Sequence, residues 1–319
     1  MDNLTHGRII GIDVSRDWLD LHCLPDDVRC RTPNDPEGHA AVADLARDCD
    51  AVVCFESTGG HGWQLWAALE AEDVIARQVA PAQVKAFARS RGTRAKTDRI
   101  DAELIARFFA FRPEAGRRLP AEKFRDLRAL TSKRTQLVEM RKRLLAQVRA
   151  QQKLGTAAQF EDIDAELKAR LDSLIKCLEE RIAVTISDNN ALAETATILR
   201  SIPGIGPVAS TTLIAEMPEL GAITGEEAAA LVGLAPVAHD SGTLRGKRAI
   251  AGGRRALRHV MFQAALVASH HNPTMKAFAD RLRKAGKPHK VIITAVARKL
   301  VNLANALCKS RQKWAPLAP

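Results

Sequence analysis

Two short apolar runs, each ending in a carboxylate, constrain this chain more than any other feature. Ile9-Ile10-Gly11-Ile12 runs into Asp13, and Ala51-Val52-Val53-Cys54-Phe55 runs into Glu56. Apolar runs of this length bounded by polar residues read as buried strands, and helical spacing fills the sequence between and after them. Strands are expected at Arg8–Asp13, Trp18–Leu24, Ala51–Glu56 and Val74–Val79, and helices at His39–Arg47, His61–Ala71, Pro81–Ser90 and Asp98–Phe109. Pro81 suits the first turn of its helix, where its missing N–H costs little. Ser15-Arg16-Asp17 between the first two strands predicts an antiparallel hairpin. The strand–helix alternation that follows predicts parallel pairing. The fold class expected for the N-terminal segment is therefore α/β with a mixed sheet.

The helix that opens at Asp98 adds two more carboxylates. Asp98 and Asp101 stand three apart and so share a helix face. Asp13, Glu56, Asp98 and Asp101 together offer the clustered oxygens that a hard cation such as Mg²⁺ prefers. Two such ions can clamp both oxygens of an in-line phosphoryl transfer. A mixed sheet with reactive carboxylates at strand ends follows the general rule for open α/β sheets and is the outline of a ribonuclease-H-like domain.

Charge separates the chain into unequal parts. From Ser241 onward there are 17 Lys/Arg and one acidic residue, Asp280, leaving 31 basic and 36 acidic residues before it, a net of −5. Asymmetry of this kind points to a polyanion-binding half; a solvated basic surface is the alternative. The chain has no tyrosine, which excludes tyrosine recombinases, type I topoisomerases and relaxases that attack phosphorus with a phenol. His270-His271-Asn272 is accordingly expected to end a helix before Pro273. The six cysteines form no C-x-x-C pair, as in a reduced cytosolic protein. No apolar run approaches the roughly 20 residues of a membrane span, and the first residues lack a secretory-signal pattern. A cytoplasmic location without membrane contact is expected.

Beyond residue 120 the periodicity changes. Leu130, Leu137 and Leu144 recur every seven, and a second pattern runs Ile163, Leu167, Leu171, Leu174, Leu178, Ile182. Together they predict an antiparallel helical hairpin, basic on its outer face around Arg141-Lys142-Arg143. It reads as a coiled-coil arm for self-association, nucleic-acid contact or both, or as an internal packing hairpin. Ile202-Pro203-Gly204-Ile205-Gly206 between two helical segments resembles a helix-hairpin-helix, in which Gly204 and Gly206 would let backbone N–H groups approach a phosphate. An ordinary tight turn is the alternative. Next, apolar Leu231–Val237 runs into His239-Asp240-Ser241-Gly242-Thr243, Arg245-Gly246-Lys247-Arg248 and Gly252-Gly253-Arg254-Arg255. A serine beside glycine among cations is what a phosphate-attacking hydroxyl needs. On spacing alone Thr243 is nearly as good a candidate as Ser241. Arg245, Lys247, Arg248, Arg254 and Arg255 are candidate phosphate contacts. Basic amphipathic helices are expected at 254–269, 274–285 and 289–309.

Gly11-Ile12-Asp13, Phe55-Glu56-Ser57-Thr58-Gly59 and Lys96-Thr97-Asp98-Arg99-Ile100-Asp101-Ala102 resemble the DEDD transposases of the IS-one-ten insertion-sequence family and the related Piv-type DNA invertases. Ser201-Ile202-Pro203-Gly204-Ile205-Gly206, Leu231-Val232-Gly233-Leu234-Ala235-Pro236 and Ser241-Gly242 resemble that family's second domain. The resemblance covers nearly the whole chain. It implies a RuvC-like domain at 1–115, a coiled-coil linker at 116–190 and a mainly helical serine transposase domain at 191–319. It implies that Asp13, Glu56, Asp98 and Asp101 bind Mg²⁺, with Mn²⁺ as a substitute, and that Ser241 is the nucleophile. The implied partners are donor and target DNA, a structured non-coding guide RNA, and further copies of the chain, as a dimer assembling to a tetramer. His239-Asp240 stands where an aromatic-acidic pair is common, and Thr243 where some relatives have serine; neither departure removes a proposed catalytic group.

The function expected is DNA recombination through a covalent phosphoserine intermediate. The alternatives are a Piv-like invertase, a metal-dependent nuclease of the Holliday-junction-resolvase type in which water attacks and Ser241 is structural, and a non-catalytic nucleic-acid-binding protein on the same scaffold.

Overall fold

The computed structural model describes residues 7–56, 60–92, 98–238, 240–242, 244–246 and 248–316, without the side chains of residues 98, 99, 244 and 245. The chain divides into two compact units, Met1–Pro120 and Ala121–Pro319.

The first unit is a three-layer α/β structure. In chain order it contains β1 (Arg8–Val14), β2 (Trp18–Leu24), β3 (Val28–Pro33), α1 (Pro36–Asp48), β4 (Ala51–Glu56), α2 (Trp63–Ala71), β5 (Ala76–Val79), α3 (Pro81–Ser90) and α4 (Asp98–Phe111). The sheet order is β3-β2-β1-β4-β5. β1, β2 and β3 form an antiparallel meander, while β1, β4 and β5 run parallel. This is the mixed ribonuclease-H-like sheet that the sequence led one to expect. The last expected strand starts two residues later than Val74, after Asp73 takes a positive φ of 55°. β3 was not expected. It is an edge strand, exposed along nearly its whole length, so it carries no apolar alternation to read.

Side-chain alternation assigns the two faces. Ile10, Ile12, Leu19, Leu21, Val53 and Phe55 point to one side and form a core with residues of α1 and α2. Val52, Cys54 and Val79 point to the other and pack with Leu104, Ile105, Phe108 and Phe109 of α4. Gly11 lies on this second face, where a Cβ would stand 2.4 Å from the Ala102 carbonyl oxygen and 2.5 Å from the Ala106 nitrogen. Glycine there lets α4 lie directly on the sheet.

The second unit contains α5 (Glu122–Leu154), α6 (Glu161–Ser187), α7 (Asn190–Ser201), α8 (Pro207–Glu216), α9 (Gly225–Val232), β6 (Pro236–Val237), β7 (Asp240–Ser241), β8 (Leu244–Arg245), β9 (Ala249–Ile250), α10 (Arg255–His271), α11 (Pro273–Lys284) and α12 (His289–Ser310). α5 and α6 form the expected antiparallel hairpin, with Gly155 in the left-handed conformation (φ 73°) ending α5. The seam of α6 differs from the expected one: Ile175, Ile182 and Ile186 are buried, while Ile163, Leu167 and Leu174 are exposed. Arg141, expected on the outer face, reaches Asp172 of the opposite helix at 2.6 Å. The apolar stretch at 231–237 is split between the end of α9 and β6, with Gly233 (φ 75°) capping the helix. His270 and His271 end α10, and Asn272 caps α11 through the Met275 N–H. By length and composition α12 could cross a membrane, contrary to the sequence expectation. Its apolar side is instead part of the unit's core, with Ile292, Val296, Leu300 and Ala304 buried among residues of α7 to α11.

Candidate functional site

Strand register brings the first two carboxylates together. β1 and β4 are parallel, and their last registered pair is Ile12 with Phe55. Asp13 and Glu56 are each one residue further on, side by side at the strands' C-terminal ends. By alternation both share the face of Gly11 and Cys54, the face that α4 covers. Cys54 lies against Ile105, and Gly11 against Ala102 and Ala106. α4 therefore crosses these strands at the row of Gly11 and Cys54, with its residues 102–106 lying over that row. The strand ends thus bring Asp13 and Glu56 together, and α4, which carries Asp98 and Asp101, covers the same sheet face. The side chain of Asp98 lies outside the described residues. Among the described residues, no three Asp, Glu, His or Cys side chains gather closely enough to hold a metal ion. The donor chemistry, carboxylate oxygen throughout, fits a hard divalent cation.

The register extends this row across the sheet. Asp13 faces Asp20 on β2, and Asp20 faces Arg31 on β3. Asp20 is buried, and its two oxygens accept from the Arg31 Nε and Nη2 at 2.8 Å each. One row further in, His22 faces Arg29. Arg29 donates to Glu103 of α4 at 2.8 Å, and Glu103 also accepts from Arg107 at 2.7 Å, which holds its carboxyl below the ordinary value. The His22 ring is fully buried, and burial pushes its pKa below 6.5, with Glu103 and Asp27 pulling the other way. Sequence reasoning passed over Asp20, Arg31 and Glu103. The alternation of Asp20 and His22 with Leu19 and Leu21 was the available signal once the hairpin register placed Asp20 opposite Asp13.

Ser241 lies in the second unit, on an exposed two-strand ribbon. It pairs with Leu244 across a turn in which Gly242 has φ 56°. The ribbon's base is closed by Asp240, which accepts from the Gly246 N–H at 3.1 Å and holds the Arg248 guanidinium at 2.7 and 2.8 Å. Arg248 draws the Asp240 carboxyl below its ordinary pKa. Arg248 is thus engaged within its own loop. His239, Thr243 and Lys247 lie outside the described residues, as does the side chain of Arg245. Arg254 is committed elsewhere: its guanidinium donates to both Glu219 oxygens at 2.8 and 2.6 Å and to the Glu216 carbonyl at 2.5 Å. Arg255 is exposed at the start of α10.

The 202–206 turn joins α7 and α8. Buried Ile202 and Ile205 anchor it, and the Asn272 amide donates to the Pro203 carbonyl at 3.3 Å. Gly204 has φ 105°, and a Cβ there would stand 2.5 Å from that of Ala268. Its glycine is required by packing on α10. Gly206 has nothing within 4 Å of where a Cβ would be and leads directly into α8.

Two family models match the chain, the first running past the boundary between the two units. A family model described as a transposase, the DEDD transposase of IS110, matches residues 10–154, and one described as the transposase IS116/IS110/IS902 family matches residues 196–280. The chain is 27% identical over 324 residues to the pilin gene-inverting protein of Moraxella bovis, covering 96% of this chain and 97% of the relative. The pilin gene-inverting protein of Moraxella lacunata matches to the same extent. An uncharacterized 42 kDa protein of insertion element IS900 from Mycobacterium paratuberculosis is 29% identical over 163 residues, 49% of this chain and 41% of that one. The structure of T. thermophilus RuvC in complex with Holliday junction substrate aligns with 36% of this chain and 100% of that chain, at 17% identity and a TM-score of 0.26; a likeness at that score adds nothing to the sheet order described above.

Proposed function

Because the chain belongs to the IS116/IS110/IS902 family of transposases, and is thereby a DNA recombinase, we propose that it exchanges strands through a phosphoserine intermediate built on Ser241. Segment 1–115 would supply the carboxylates, 116–190 a helical arm and 191–319 the serine. Asp13, Glu56, Asp98 and Asp101 would hold Mg²⁺, or Mn²⁺ in its place. A divalent cation bound there supplies charge neutralisation at the transferring phosphate.

The Ser241 Oγ attacks phosphorus; the Oγ–P bond forms, the P–O bond to one deoxyribose breaks, and the released oxygen takes up a proton. A hydroxyl of the partner strand then attacks the same phosphorus and displaces Ser241, which regains its proton. The number of phosphodiester bonds is unchanged, so no external energy source is needed. Arg245, Lys247 and Arg255 would hold flanking phosphates, positioning the strand without reading its sequence. Gly206, leading into α8, would present backbone N–H groups in the same way. Donor and target DNA would be selected by a structured guide RNA, with copies of the chain pairing and assembling into a tetramer.

The observation that most supports this reading is the adjacency of the Asp13 and Glu56 strand ends on the sheet face covered by α4, the helix that carries Asp98 and Asp101. Ser241, exposed on its ribbon and with no hydrogen-bond partner for its hydroxyl among the described residues, suits attack on a substrate rather than a role in folding. The test is recombination in cells, with the gene carried on its native flanking DNA and junctions read by sequencing. Loss of junctions in both Ser241→Ala and Asp13→Ala, with both proteins folded, is expected. Junctions that persist in Ser241→Ala but vanish in Asp13→Ala would instead mean attack by water and would remove the phosphoserine step.

A further inference from the structure

The tip of the α5–α6 hairpin exposes apolar side chains in an order that asks for a partner. Ile163 and Leu167 are 53% and 49% exposed, and Phe160 is also exposed. Spaced at i, i+3 and i+7, they form one stripe along the first two turns of α6. Asp162 and Glu166 flank that stripe. Farther along α6 the charge changes sign at Lys168 and Arg170, so the acidic apolar segment is short.

A surface with complementary properties lies elsewhere in the same unit. A groove of about 660 Å³ runs along α12 between α11 and the β6–β9 ribbon. Its apolar lining includes Pro236, Ile250, Val291 and Ala295, of which Val291 is 51% exposed. Its charged lining is Arg248, Lys290, Arg298 and Lys299, with no acidic residue among the described lining. Arg248 already binds Asp240, leaving the other three cations to set the field.

We infer that this groove takes the hairpin tip of a second copy of the chain, with Phe160, Ile163 and Leu167 entering the apolar floor and Asp162 and Glu166 facing Lys290 and Arg298. Recognition of an amphipathic helix by a groove uses this spacing of anchors, and the opposed charges set its register. The tip belongs to another copy because the hairpin holds its own away. α5 packs into its own unit's core through Phe124, Leu127 and Leu130. At about 1.5 Å per residue, Leu154 then lies roughly 35 Å beyond Leu130 along the helix. A nucleic-acid strand fits the groove less well. Among the described residues Phe278 is the one aromatic ring lining it, and Arg281 and Lys299 already lie over that ring at 5.3 and 4.8 Å, whereas bases bind by stacking on open rings. The inference rests on the pairing of copies proposed above, for which it names the surfaces, and is independent of the recombination chemistry.

The test is sedimentation velocity on the full-length protein free of nucleic acid, over a range of concentrations. A tip variant (Asp162→Lys with Glu166→Lys) and a groove variant (Lys290→Glu with Arg298→Glu) should each self-associate more weakly than wild type, by roughly tenfold or more, while melting as wild type does. Mixing the two variants should restore association, because each then offers the charge that the other's tip or groove requires. Three results overturn the inference: a wild type that stays monomeric, a mixture that associates no better than either variant alone, or a groove variant that self-associates normally. If that last variant also loses affinity for a single-stranded oligonucleotide, the groove is a nucleic-acid site.

Discussion

Replacing Gly11 by alanine should uncouple the two halves of the proposed carboxylate site with a single methyl group. The new Cβ would stand 2.4 Å from the Ala102 oxygen, 2.5 Å from the Ala106 nitrogen and 2.7 Å from the Ala106 Cβ, where ordinary contact begins at 3.4 Å. Two of these three atoms are helix backbone, so no rotamer change relieves them. α4 must retreat by about 1 Å or the strand must bend. Overpacking of this kind costs about 1–3 kcal/mol, or a melting temperature lower by roughly 5–15 °C in a unit of this size. In the proposed site the movement would also shift Asp98 and Asp101 relative to Asp13 and Glu56. A misplacement of about 1 Å can reduce a reaction rate by about a hundredfold. Three of the four tryptophans, Trp18, Trp63 and Trp66, lie in the first unit, so tryptophan emission follows that unit's unfolding in the full chain. Gly7→Ala, with nothing within 4 Å of its Cβ, is the control and should be silent in both assays. Wild-type melting and recombination in Gly11→Ala would refute the close approach of α4. Lowered melting with wild-type recombination at a permissive temperature would refute the link between that helix and the site.

Gly204→Ala should destabilise the second unit by about 1–3 kcal/mol in thermal melts without nucleic acid, whereas Gly206→Ala should not. Arg254→Ala should likewise cost about 1–3 kcal/mol, because it strands the Glu219 carboxylate and the Glu216 carbonyl, while Arg255→Ala should melt as wild type. In DNA titrations Arg255→Ala should reduce the salt slope of log K by about one. Burial holds the pKa values of His22 and His39 below that of the unfolded chain. The unfolded state therefore takes up protons that the folded state refuses, and stability should fall as pH drops below about 6.5. His22→Leu should flatten part of that fall in melting temperatures between about pH 5 and 7, with His39 keeping the rest; an unchanged slope would refute the assignment.

The parts of the fold legible in sequence were those in which burial imposes a period. β1, β2 and β4 each present a buried face and were placed to within a residue. β3 has no buried face and left no pattern. α6 misled for the opposite reason, since it carries two apolar stripes. One packs on α5 through Ile175, Ile182 and Ile186, the other remains exposed at Ile163, Leu167 and Leu174, and spacing alone does not say which is the seam. The placement of Asp13 and Glu56 at adjacent strand ends was legible because each ends an apolar run. The partners that fix the surroundings were not, because a register decides them. Arg254 looked like a phosphate contact within a basic stretch, yet Glu219, 35 residues away, claims it.

The row formed by Asp13, Asp20 and Arg31 raises an electrostatic problem that Arg31 resolves. Asp13 and Asp20 occupy directly opposite positions on adjacent strands and point to the same face, and Asp20 is only 4% exposed. Like charges placed this way destabilise a sheet, and a buried carboxylate needs its hydrogen bonds filled. Arg31 does both, with two bonds of 2.8 Å and a neutralising charge, its guanidinium carried over the Trp18 ring at 5.7 Å. Arg31→Ala should therefore cost about 1–3 kcal/mol near neutral pH, through a carboxylate left bare beside Asp13 rather than through any loss of apolar packing. The distinction is measurable. If charge is the cause, Asp20→Asn should recover much of the loss in the Arg31→Ala background. A double variant no more stable than Arg31→Ala would mean that Arg31 acts through its packing on Trp18, and that Asp13 and Asp20 can share their strand pair at no cost.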